Sequence, residues 1–172
     1  MPLEIYRKKR KFEETPEPRG RAHRPKKRAL EFVVQKHWAT TLHYDFRLEV
    51  DGVMASWAVP KGPSLNPSDK RLAVRTEDHP MEYNSFEGTI PEGHYGAGRV
   101  IIWDRGTYEP EGDLPPAKQL ARGEFKFTLH GKKLRGGFVL VHTDGKRWLL
   151  IKHRDQFATN AATPSSKKSE AA

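Results

Sequence analysis

Leu42–Asp51 reads LHYDFRLEVD, an unbroken alternation of apolar and polar side chains. Leu42, Tyr44, Phe46, Leu48 and Val50 fall on one side, and His43, Asp45, Arg47, Glu49 and Asp51 on the other. A period of two is the signature of a strand with one buried face. Asp51-Gly52 then marks a tight hairpin into a second β-like run, Val53–Val59. The same punctuation recurs outward in both directions. Further candidate strands are Leu30–His37, Arg71–Glu77, Gly98–Asp104, Glu124–His130, Leu134–His142 and Trp148–His153. Turn signals separate them at Lys61-Gly62-Pro63, at Asn66-Pro67, in the Gly-rich PEGHYGAG of residues 91–98 and at Asp144-Gly145. No run of twelve or more residues carries a helical period. This pattern predicts an all-β fold, a compact single-domain β-barrel of about eight strands over residues 29–157. Trp57, Trp103, Trp148, Phe125, Phe127, Phe138 and Leu140 supply its core.

The two ends differ from this middle. Hydrophobic residues make up only 35% of the 172, and both termini are polar. Residues 1–28 hold eleven Lys/Arg against four Glu, a net of +7 out of +9 for the chain. Pro16, Pro18 and Pro25 oppose helix there, so the segment reads as an extended, flexible basic arm. Such an arm fits a nucleic-acid backbone, and it also fits a solvated tail. Residues 158–172, rich in Ala, Ser and Lys, read as a disordered tail. There is no cysteine, which excludes disulfides and thiolate metal sites. No apolar run reaches membrane-spanning length and no signal peptide is visible, so a cytoplasmic monomer without membrane association is expected.

The polar face of Leu42–Asp51 carries the chemistry. His43, Asp45 and Arg47 line up a metal ligand, a second ligand and a phosphate clamp. His37 lies just upstream, and the short Trp38–Thr41 connection lets the two histidines meet. His79 sits in Glu77-Asp78-His79-Pro80, where Pro80 biases its backbone toward an extended form. Two imidazoles and a carboxylate leave positions open on a divalent ion, as catalysis requires. Mn²⁺, Zn²⁺, Fe²⁺ and Co²⁺ all accept such ligands. Arg47 projects from the same face about 6–7 Å from Asp45, close enough to grip a phosphate alongside the ion. By pattern alone the same residues fit a solvated polar strand equally well.

Longer segments decide between these readings. Gln35–Ser64, Lys70–Pro80, Phe86–Tyr108 and Trp148–Asp155 carry QKH, LHYDFRLE, SWAVPKGPS, EDHP and IPEGHYGAGRVIIWDRG in this order. On these segments the chain resembles the 3′-phosphoesterase domain of bacterial DNA ligase D and its stand-alone relatives, from about Tyr6 to Phe157. The resemblance implies a barrel whose polar groove holds a divalent metal, typically manganese. It implies removal of 3′-phosphates and 3′-terminal ribonucleosides from primer–template DNA, leaving a 3′-OH for end joining. By that resemblance His37, His43 and Asp45 are the metal ligands, and Arg47 and His79 engage the scissile phosphate. Lys61, Arg71, Glu77, Gln35 and Tyr83 support the pocket. Arg71 and Glu77 have the same strand parity as His79, which predicts one shared face. An N-terminal element linked to ribonucleoside removal reads Arg10-Lys11-Phe12-Glu13-Glu14-Thr15-Pro16-Glu17-Pro18, with Lys11 where the family carries an acid. DNA 3′ ends, and ligase, polymerase or Ku end-joining proteins, are the expected partners.

The mechanism expected is metal-assisted attack of water on a 3′-terminal phosphorus, with His79 either protonating the leaving oxygen or stabilising the transition state. A non-catalytic basic barrel that binds DNA ends and recruits repair proteins would explain the arm and the charge. It needs no His/Asp/Arg alignment. A sugar-binding or oxygenase-like barrel would use the same triad but not the basic arm. PEGHYGAG lacks the strand-to-helix setting and the Lys-Ser/Thr of a nucleotide-binding loop, and reads as a turn.

Overall fold

A computed structural model of the chain describes residues 3–20 and 29–160. The remainder of the expected arm and tail, residues 1–2, 21–28 and 161–172, lies outside the described residues. The strands are β1 (Leu30–Trp38), β2 (Leu42–Val50), β3 (Val53–Val59), β4 (Arg71–Pro80), β5 (Gly88–Ile90), β6 (Gly98–Pro110), β7 (Glu124–His130), β8 (Arg135–Asp144) and β9 (Arg147–Lys152). All pairings are antiparallel, in the order β1-β2-β3-β4-β9-β8-β7-β6, and β6 pairs back onto β1. Eight strands thus close a barrel in which each has a hydrogen-bonded partner on both sides. The short β5 is an extra strand on the first residues of β6.

The alternation of β2 is realised as read. Tyr44, Phe46, Leu48 and Val50 point inward to join Phe32, Val34, Trp57, Trp103, Phe125, Phe127, Phe138, Leu140 and Trp148 in one core. At Asp51-Gly52, Asp51 takes φ 49° and Gly52 φ 83°, the left-handed pair that a two-residue hairpin needs. The helix α2 (Pro116–Arg122) escaped the reading; it has Pro at its first position and Gly123 in the left-handed conformation just past its end. Its seven residues are too few to display a helical period.

The N-terminal segment departs from the expected arm. Residues 4–8 form α1 (Glu4–Lys8), and Leu3 and Tyr6 are fully buried. Tyr6 packs with Tyr83, Phe86, Ile90 and Val100 in a second apolar cluster on the outside of the barrel. Its hydroxyl donates to the carbonyl of Pro18. The prolines oppose helix only after residue 15, and Tyr6 and Phe12 give the charged segment an apolar anchor.

Candidate metal and phosphate site

The site lies on the outer wall of the barrel, beneath that N-terminal segment. On β1 and β2 the outward residues face each other in register: His37 opposite His43, Gln35 opposite Asp45, and Val33 opposite Arg47. The neighbouring β3 presents Ala58 beside Asp45 and Ser56 beside Arg47, small residues that leave room above the polar groups. A cleft of about 250 Å³ results, lined by His37, His43, Asp45, Arg47, His79 and Arg10 among others.

His37, His43 and Asp45 converge. His43 Nε2 lies 3.1 Å from Asp45 Oδ1 and His37 Nδ1 lies 3.4 Å from Oδ2. One ligand atom from each falls within 4.8 Å of the others. Small rotations bring such a trio onto one ion at the usual bond lengths of about 2.0–2.2 Å. The remaining ring nitrogens test the fit. His37 Nε2 sits 2.7 Å from the carbonyl of Gly96, and His43 Nδ1 3.2 Å from that of Thr41. A carbonyl can only accept, so each of these nitrogens is placed to carry the proton when a metal takes the lone pair of the nitrogen facing Asp45, in place of that nitrogen's own donation to the carboxylate. The donor set fits a divalent ion. Burial works against ionisation of Asp45, yet the hydrogen bonds of His37 and His43 and the charge of Arg47 outweigh it and hold the carboxyl far below its ordinary range.

Arg47 is 3% exposed and its Nε donates to Gln35 Oε1 at 2.8 Å. Gln35 in turn donates to the carbonyls of Tyr83 and Phe86. This chain fixes the guanidinium, which lies 3.7 Å from Asp45 and over the ring of Tyr83. His79 arrives from β4. Its Nδ1 is 3.0 Å from the carbonyl of Glu77, and its Nε2 faces Arg10 at 3.3 Å. Burial first, then the charges of Arg47 and Arg10, depress its pKa well below the usual imidazole value. Arg10 is anchored to Glu17 at 2.8 Å and to Glu77 at 3.3 Å, and Glu17 also accepts from Tyr83 Oη at 2.8 Å.

Of the residues expected at the site, His37, His43, Asp45, Arg47, His79, Gln35, Glu77, Tyr83 and Arg10 are brought together. Lys61 and Arg71 are not. They line a separate groove with Ser68, Asp69 and Lys70, where Arg71 pairs with Asp69 at 3.6 Å. The shared-parity argument for Arg71 fails because β4 carries a bulge: Ser56 pairs with Thr76, but Met54 pairs with His79. Arg71 stands opposite the core residue Leu150, and the inserted residue turns His79 to the other face. Glu17, Tyr6 and the carbonyl of Gly96 went unassigned. Glu17 was visible only as part of the N-terminal element, and nothing in the sequence marks which carbonyl will face a histidine.

Fold and site together define a small β-barrel domain with a candidate phosphate-handling metal centre. The chain belongs to the DNA Ligase D 3′-phosphoesterase domain family, whose family model matches residues 35–142. It is 53% identical over 161 residues to the multifunctional non-homologous end joining protein LigD of Pseudomonas aeruginosa, covering 90% of this chain and 19% of that protein. It is 48% identical over 156 residues to the multifunctional non-homologous end joining DNA repair protein LigD of Mycobacterium tuberculosis, covering 90% of this chain and 20% of that one. The match to the Mycolicibacterium smegmatis protein is 46% over 158 residues. The chain therefore spans about a fifth of the length of the curated relatives it matches. Among the described residues no helix is long and apolar enough to cross a membrane.

Proposed function

We propose that this domain is a divalent-metal-dependent hydrolase of DNA 3′ ends. It removes 3′-phosphates and 3′-terminal ribonucleosides and leaves a 3′-OH for end joining. Manganese is the proposed ion, and the ligase, polymerase and Ku components of end joining are the proposed partners. The observation that carries the reading is the convergence of His37, His43 and Asp45 within one ion's reach, with Arg47 held beside them. A bound divalent ion supplies positive charge to a phosphate oxygen and strengthens its phosphorus as an electrophile. Arg47, already oriented by Gln35, takes a second oxygen and stabilises the charge that grows in the transition state. His79 holds its proton on Nδ1 toward Glu77, so its Nε2 enters the reaction as an acceptor. It becomes a donor to the leaving oxygen only after taking a proton from solvent, an uptake favoured when the phosphate's negative charge offsets that of Arg47 and Arg10. Arg10, Glu17 and Tyr83 hold the N-terminal segment against this cleft, and Lys11 is exposed and does not line it. This supports retention of the ribonucleoside-removing step despite Lys11.

The test is release of inorganic phosphate from a 3′-phosphate oligonucleotide, and of the terminal nucleoside from a ribonucleotide-ended primer, with and without Mn²⁺. Metal-dependent release of both is expected. Tight binding to either substrate without any turnover would replace the proposal by the non-catalytic, end-binding alternative.

A further inference from the structure

Tyr95 is the only phenylalanine, tyrosine or tryptophan among the described residues that stands open to solvent, at 46% exposure. It is not stranded on a remote surface. It lines the same cleft as the metal trio and Arg47, and it sits one residue before Gly96, whose carbonyl fixes His37. The turn that carries it is therefore tied to the catalytic wall. The ring itself is held. Its hydroxyl donates to Glu77 Oε1 at 3.4 Å and accepts from Lys9 Nζ at 3.3 Å. The Lys9 ammonium also lies 4.5 Å from the ring centre. The Arg10 guanidinium lies over the ring as well, 5.4 Å from its centre, and the part of the ring that stays open to solvent, at the rim of a phosphate-sized cleft, faces whatever is attached to the phosphate.

We propose that Tyr95 is the stacking platform for the nucleobase at the 3′ end of the substrate strand. The proposal rests on the 3′-end hydrolase reading above. In a DNA end, the phosphate is joined through its sugar to a base, and that base must leave the cleft past its rim. Every base has a π-face, so an aromatic platform binds the terminal nucleotide without demanding a sequence, as an end-processing activity requires.

The experiment compares wild type with Tyr95→Phe, Tyr95→Trp and Tyr95→Leu on a 3′-phosphate oligonucleotide whose terminal base is 2-aminopurine. Stacking predicts that Phe and Trp keep KM within about twofold, and that Leu raises it about tenfold or more with a smaller change in kcat. It also predicts rapid quenching of the aminopurine on stopped-flow mixing with wild type, Phe and Trp, and none with Leu. Equal losses in Phe and Leu would assign the effect to the hydroxyl and overturn the proposal. So would an unchanged KM in Leu with quenching intact. A wild-type protein that neither binds nor hydrolyses the oligonucleotide ends the functional reading and takes this inference with it, whereas an active wild type with an indifferent Leu variant ends this inference alone.

Discussion

At the scale of single residues, the site depends on which atoms are already committed to the protein. Arg47 spends its Nε on Gln35, so the terminal nitrogens are what a phosphate meets. A lysine offers one compact charge on a flexible stem and lacks the planar fork that lets one nitrogen stay on Gln35 while the others face a phosphate. Arg47→Lys should therefore lower kcat by about 10²–10³-fold, the usual cost of one transition-state donor, with Mn²⁺ affinity nearly unchanged. Steady-state kinetics with titration calorimetry separates the two effects, and a large loss of metal affinity would refute the division of labour. His43→Ala should do the reverse. It should remove Mn²⁺ binding and phosphatase activity together, because the inward face of β2 that carries the core is untouched. Retained metal-dependent turnover with an unaltered circular dichroism spectrum would exclude His43 as a ligand. These residues were legible because strand parity places His43, Asp45 and Arg47 on one face whatever surrounds them. Arg71 lies apart from His79 because parity holds only along an unbroken strand, and the β4 bulge leaves no mark in composition; Lys61, carried over on the resemblance alone, lines the same separate groove.

At the scale of elements, the most informative piece is the N-terminal segment. Its charge announced a tail, yet two features hold it down. Tyr6 packs edge-on against Tyr83 and His79, and Arg10 meets Glu17 and Glu77 in a nearly dry ion-pair cluster. An amphiphilic five-residue helix is too short to announce itself by period, and an apolar anchor of two aromatics is easily outweighed by eleven basic residues. Tyr6→Ala should cost about 3–5 kcal/mol where the segment unfolds together with the barrel, the range for truncating a large buried aromatic. Urea denaturation measures this. A change near zero would show that the segment docks loosely and contributes little to the fold. The β1–β2 hairpin, by contrast, was legible almost to the residue. Its alternation and its Asp51-Gly52 exit into β3 are local signals, and His37 opposite His43 follows from the register they set.

At the scale of the whole molecule, closure of the barrel and the charge clusters on its wall predict how stability varies with pH. Burial raises Glu77 toward neutrality, but a backbone hydrogen bond and the charges of Arg10 and Lys9 outweigh it, so its folded pKa lies below the ordinary 4.5. Asp45 is depressed further by the histidines and Arg47. For such groups the unfolded chain takes up protons first as pH falls, so both carboxylates stabilise the fold above their unfolded values of about 4 to 4.5. That contribution is lost progressively as pH drops through the folded values. Asp78 works the other way, since burial raises it and its ionisation is resisted by the fold. Asp155 is depressed as well, so among these groups Asp45, Glu77 and Asp155 oppose Asp78 alone, and the expected slope follows the depressed carboxylates. Thermal melts should therefore show a Tm that falls as acid crosses the ordinary carboxylate range, from about pH 5 to about pH 3. Glu77→Gln should melt below wild type near neutrality, because Arg10 loses a charged partner in a buried setting. The gap should close as acid neutralises Glu77 in the wild type. A gap that stays constant across this range would mean that the glutamate stabilises the domain by shape and hydrogen bonding, and that the charge network beneath the N-terminal segment is not what acid dismantles.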